Sequence, residues 1–220
     1  MTSWNPAPGV RSALFSPIGL LPIDDITGRA PLGTLRVYLD AEESAGVWRK
    51  TDLRPLITRG GVITFPALGR SREPAAHGPR RYRVRVEAQH YIPNYRRDQD
   101  GIEFDAFPYD DKTAPSSAPG MPDPFFLLPG PTYPFPGHLL VLRGAVVDAA
   151  GSAVRDAEVT IGATRRVLSD ARGCFAISTQ RPVVPGVIQV DAADLRSGRV
   201  GGAAVPFPLG LAGNVQIVIS

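Results

Sequence analysis

Cysteine is nearly absent from this 220-residue chain. Cys174 stands alone, so no intramolecular disulfide forms and the fold must close on packing and hydrogen bonds. No histidine neighbours it in sequence, and the thiol reads as a small hydrophobe in or beside the core. Lysine is as scarce: Lys50 and Lys112 are the only two among 24 basic residues. The net charge of +3 is too small to call for a polyanion, and no nucleic-acid partner is expected.

Histidine occurs three times, at His77, His90 and His138, and no two of these share a metal-binding spacing. A Gly-x-Ser-x-Gly elbow, a phosphate loop and a Cys-x-x-Cys pair are all missing. No catalytic residue, cofactor site or metal ligand is therefore assigned, and enzymatic activity is not expected. Long apolar runs are missing too, since no stretch approaches the ~20 residues of a membrane span. Pro17 and Pro22 interrupt the apolar run from Ala13 to Ile23, and Asp24 and Asp25 follow it without a small-residue cleavage site. The expected location is the cytoplasm, or the outside only as part of an exported assembly.

What the chain does have is 23 glycines and 23 prolines, which point to many turns, and no window keeps a 3.6-residue apolar period. An all-β fold follows. The clearest pattern lies in residues 142–179. Leu140, Leu142, Gly144 and Val146 share one parity of a strand running from Leu139 to Asp148. Asp148 to Ser152, with Gly151, is turn chemistry; Ala157, Val159 and Ile161 then alternate with Glu158, Thr160 and Gly162. A second turn signal, Ser169-Asp170 to Gly173, leads into Phe175 and Ile177. Val187 to Ala192, Gly198 to Val205 and Asn214 to Ile219 read as closing strands, the last of them a candidate sheet edge.

This order resembles the carboxypeptidase regulatory-like domain, a transthyretin-like (prealbumin-like) β-sandwich. The matching residues are Gly144, Val146, Asp148, Gly151, Val154, Ala157, Val159, Ile161, Ser169, Asp170, Gly173, Phe175 and Ile177. The resemblance covers residues 138–220 and implies a fold rather than an activity, because members of that family are accessory modules on unrelated partners. A weaker echo occupies residues 20–110, with Asp25 and Gly28 as the turn, Leu35 to Leu39 as a strand, Thr58 to Phe65 as the second hairpin and Tyr82 to Ala88 as a further strand. The expected architecture is two tandem transthyretin-like (Ig-like) sandwiches joined by a Pro-rich linker. Residues 1–17 form an N-terminal arm, 18–110 the divergent sandwich, 111–137 the linker and 138–220 the regulatory-like sandwich.

Arg81, Arg83, Arg85 and Glu87 share one face of the strand at 80–89, and Tyr82, Val84, Val86 and Ala88 the other. The first set reads as a solvated face balanced by carboxylates. From Asp98 to Asp105, alternating acids form an oxygen set that suits Ca²⁺, though Ile102, Phe104 and Ala106 between them describe an ordinary strand ending an Asp-Gly turn. The segment 107–137 that holds the linker, with prolines at 108, 115, 119, 122, 124, 129, 131, 134 and 136, favours polyproline II and is expected to stay out of a sheet interior. Its aromatics are too apolar for a solvated spacer and are expected to pack on a sandwich or on another protein.

The function expected from these features is that of a structural or interaction protein, an adaptor or accessory subunit of a large assembly such as a phage-tail-like particle. Another protein is the expected partner and a small-molecule ligand is not expected. Candidate contact residues are Phe125, Phe126, Tyr133 and Phe135 in the linker, with Trp48, Tyr91 and Tyr95. The alternative is a carbohydrate-binding sandwich with Trp48, Tyr91 and Tyr95 as stacking platforms.

Overall fold

The computed structural model describes residues 15–110, 112, 121–179, 186–207 and 213–220. Most of the expected N-terminal arm, including Trp4, lies outside these residues, as do the prolines at 115 and 119. The fold is all-β, with 52% strand against 4% helix, and that helix is two single 3-10 turns at Pro74–Ala76 and Asn94–Arg97. The strands are β1 (Gly19–Asp24), β2 (Leu35–Ser44), β3 (Val47–Lys50), β4 (Leu56–Ile57), β5 (Ile63–Thr64) and β6 (Arg80–Ala88). They continue as β7 (Tyr91–Pro93), β8 (Ile102–Ala106), β9 (Asp123–Pro129), β10 (Leu140–Asp148) and β11 (Glu158–Ile161). The last five are β12 (Arg165–Leu168), β13 (Cys174–Thr179), β14 (Gly186–Asp194), β15 (Arg199–Phe207) and β16 (Asn214–Ile219).

Two compact units each take three stretches of chain. The first uses Met1–Leu21, Tyr38–Arg83 and Glu103–Asp123, the second Pro22–Val37, Val84–Ile102 and Pro124–Ser220. In the first unit β2 and β3 form a hairpin over Gly46, whose φ of 76° suits the turn, and β4 pairs with β5 across the Thr58–Val62 turn. Leu20, Leu39, Ile63, Phe65, Tyr82 and Tyr109 are buried there. Phe15, the described end of the arm, lies edge-on to Tyr109 with ring centroids 5.3 Å apart.

In the second unit, β13-β10-β16 and β12-β11-β14-β15 form two sheets, and their inward residues share one core. Leu142, Val146, Val159, Phe175, Ile177, Val190, Val205, Ile217 and Ile219 come from six of the seven strands, a β-sandwich-like arrangement. The two sequence-read turns form as expected. Asp148 Oδ1 accepts the Ser152 and Ala150 N–H groups, and Asp170 Oδ1 accepts those of Arg172 and Cys174. The terminal strand β16 runs parallel to β10, pairing Val146 with Ile217, and its last residue Ser220 exchanges backbone bonds with Val200 of β15. That exchange covers one end of the edge expected at β16.

One segment departs from expectation. Residues 123–129 were expected within a spacer that stays out of a sheet, yet they form β9, which pairs with β7 through Ile92–Leu128 and Pro93–Leu127. The reason is positional: Pro124 and Pro129 sit near the ends of the strand, leaving Phe125 to Leu128 with free N–H groups. Leu127 and Leu128 are fully buried.

Candidate interaction surfaces

The buried carboxylate of Asp24 gathers four hydrogen bonds in the second unit. It ends β1, and its Oδ1 accepts the Ile26 N–H at 2.8 Å and the Thr27 N–H at 3.4 Å. Its Oδ2 accepts the phenols of Tyr133 at 2.7 Å and Tyr91 at 3.2 Å. The turn read from the sequence at Asp25 is thus capped one residue earlier, since Gly28 also donates to the Asp24 carbonyl. Burial, then the bond to Asp24 and its charge, hold the Tyr133 phenol far above the ordinary tyrosine value, and burial raises Tyr91 as well.

An alkaline signature follows with a definite sign. The unfolded chain releases tyrosine protons near pH 10, whereas the folded chain holds these two to higher pH. Their contribution is therefore complete below about pH 10 and is lost as pH rises beyond it. The denaturation midpoint is expected to fall steeply between about pH 10 and 12, and less so in Tyr133→Phe; parallel profiles would contradict the assignment.

A second construction joins β7, β9 and the 3-10 turn Asn94–Arg97 to the C-terminal strands, all within the same unit. Ile92, Leu128 and Leu168 make a buried cluster. Around it, Arg97 pairs with Glu158 at 2.8 Å and Arg155 with Asp156 at 3.0 Å, while Arg196 donates to Asp100 at 3.0 Å and to the carbonyls of Arg96 and Gln99. Asp156, buried and at a φ of 57°, also stands 4.0 Å from both Arg96 and Arg196. The guanidiniums are partly exposed, so each pair contributes no more than about 1 kcal/mol. Burying Leu128 and Leu168 contributes roughly 2 kcal/mol each, so the apolar cluster holds the join and the charges fix its register.

Two of the four acids from Asp98 to Asp105 pair with arginines, Asp100 with Arg196 and Glu103 with Arg81, and Ile102 to Ala106 form a strand as read from the sequence. Among the described residues no group of three or more His, Cys, Asp or Glu side chains is placed to hold a metal ion. The arginine stripe of β6 is likewise engaged. Arg83 pairs with the buried Asp40 at 3.1 Å and lies over the Trp48 ring, 4.7 Å from its centroid. His90 meets Thr132 at 3.3 Å, and His77 and His138 are exposed.

Of the sequence-read contact residues, Phe125, Tyr91 and Tyr133 are buried. Tyr95 is half-buried, stacked on Phe125 at 5.6 Å, and its hydroxyl donates to the Val86 carbonyl and accepts the Val86 N–H. Phe135 is half-buried against Tyr133, and Trp48 is half-buried under Arg83. Phe126 alone of the seven is exposed, at 40%. The three rings of the carbohydrate reading therefore present no open row of faces.

The apolar groups that do face outward are elsewhere. Leu53, Leu56 and Ile57 are each more than half exposed on and beside β4, which among the described residues pairs with β5 alone, at the end of its sheet. Sequence parity had no purchase on a two-residue strand. No helix among the described residues is long and apolar enough to cross a membrane.

No protein-family model matches the chain, and no curated protein matches it. Among solved structures, the Bacillus anthracis TIE protein is similar at 9% identity and a TM-score of 0.28, over 94% of this chain and 33% of that one. The chain thus spans about a third of that protein's length.

Proposed function

We propose that this chain is a non-catalytic structural or adaptor subunit that acts through its β-sheet surfaces in a larger assembly put together in the cytoplasm. Residues 138–220 serve in it as a carboxypeptidase regulatory-like module. The Asp148–Gly151 and Asp170–Gly173 turns and the shared core of β10 to β16 support the module. The observation that carries the adaptor reading is the apolar run on and beside β4. Three large side chains within five residues, each more than half exposed and two of them on an edge strand, are a costly surface for a chain that acts alone. Arg54 within the run and Arg59 just past it are both exposed, so the partner is a protein segment that sets apolar groups on Leu56 and Ile57 and carboxylates on the arginines.

The test is co-purification of the tagged chain from its native host in mild salt, beside a Leu56→Arg/Ile57→Arg variant. Both side chains are exposed, so the variant keeps the stability of the parent. Assembly subunits recovered with the parent and lost with the variant are the expected result. A parent that runs as a monomer with nothing attached, or a variant that keeps every partner, contradicts the reading.

A further inference from the structure

The outer face of the β13-β10-β16 sheet carries a groove of about 470 Å³, within the range of small-ligand sites. Its floor follows from strand register. Leu142, Gly144 and Val146 turn inward, so Arg143 and Ala145 turn outward, and Arg143 stands beside Asn214 while Ala145 stands between Cys174 and Gln216. The Pro131–Thr132 corner makes one wall and Arg172 another. The lining holds two guanidiniums, two carboxamides and no carboxylate among the described residues. Asp170 lies outside it, 3.6 Å from Arg172, in a loose pair on a side chain 78% exposed. Arg143 spends one N–H on the Pro131 carbonyl, which aims the rest of its fork without consuming it.

We propose that this groove binds an amide-bearing carboxylate, of the kind presented by an N-acyl amino acid or by the free C-terminus of a peptide. The arginines receive the carboxylate, as planar forks do, and Asn214 and Gln216 each offer a donor and an acceptor to the adjoining amide. Ala145, small and outward-facing between Cys174 and Gln216, leaves room for a short apolar side chain. The inference is independent of the adaptor reading, which rests on β4.

The probes are N-acetyl-leucine, the peptide N-acetyl-Ala-Ala-Ala-Leu with a free carboxylate, and the same peptide as its C-terminal amide. They are titrated into the full chain by calorimetry, and amide shifts of Ala145, Cys174 and Gln216 are followed by NMR. Expected are saturable binding of at least one acid, shifts at those three residues, and affinity about tenfold weaker both for the peptide amide and in Arg172→Gln. Arg172 is exposed, so that variant stays folded and a lost signal reports on binding. Tighter binding of the longer acid assigns the groove to a protein terminus, and equal binding of the two acids assigns it to a small metabolite; both support the proposal. Acid and amide binding alike, an unchanged Arg172→Gln, shifts elsewhere, or no saturation of either acid by about 10 mM overturns it.

Discussion

Gly144→Val is expected to destabilise the second unit by at least about 3 kcal/mol, lowering the melting temperature by roughly 10 °C. Gly144 faces inward in β10, between β13 and β16. A Cβ there falls well inside contact distance of the Val215 carbonyl oxygen, and within 2.6 Å of the Phe175 ring. Phe175 is 1% exposed and fixed in the core, and Val215 is held in register opposite Gly144, so neither neighbour has room to withdraw. Gly151→Ala is the matched control. That glycine has a φ of 82° with nothing within 4 Å of an added Cβ, so it costs only the left-handed backbone, about 1 kcal/mol. Equal losses from the two substitutions, measured by denaturant titration, would mean that β10 and β16 are not as close as described.

Asp24→Ala is the second large effect. It removes an acceptor that receives two backbone N–H groups and two phenols, on a carboxylate only 1% exposed. Leaving the Tyr91 and Tyr133 hydroxyls buried without their acceptor costs about 3 kcal/mol in all. Tyr133→Phe removes the donor instead and costs about 1 kcal/mol, because no orphan is left behind. The double variant is expected to fall short of the sum by roughly 1 kcal/mol, the coupling of groups that share one bond. Strict additivity across that cycle excludes the Asp24–Tyr133 bond as a stabilising contact.

Local chemistry made the C-terminal strands legible. Asp148 with Gly151 and Asp170 with Gly173 state their turns within four residues, and the alternation of Leu142, Gly144 and Val146 states which face is buried. What connects distant stretches left no such mark. Nothing near Leu128 in sequence reveals that it meets Ile92 and Leu168, and proline count alone argued against β9, although only the positions of Pro124 and Pro129 matter. Tyr91 and Tyr133, read as exposed contacts, turn inward because Asp24, 67 and 109 residues away, offers their hydroxyls an acceptor. The Leu53 to Ile57 run, exposed in the structure, is too short and too broken by Pro55 to show a periodic face in the sequence.

Residues 138–220 lie in one compact unit with β7, β9 and the Asn94–Arg97 turn, and the Ile92–Leu128–Leu168 cluster is expected to make them unfold together. Native-state hydrogen exchange on the full chain tests it most directly. The amides of Ile92 and Leu128 are expected to open with the same free energy and the same denaturant dependence as those of Val146 and Ile217. Ile92 and Leu128 exchanging in a separate, lower-energy step while β10 and β16 stay protected would show instead a sandwich that folds alone on a spacer.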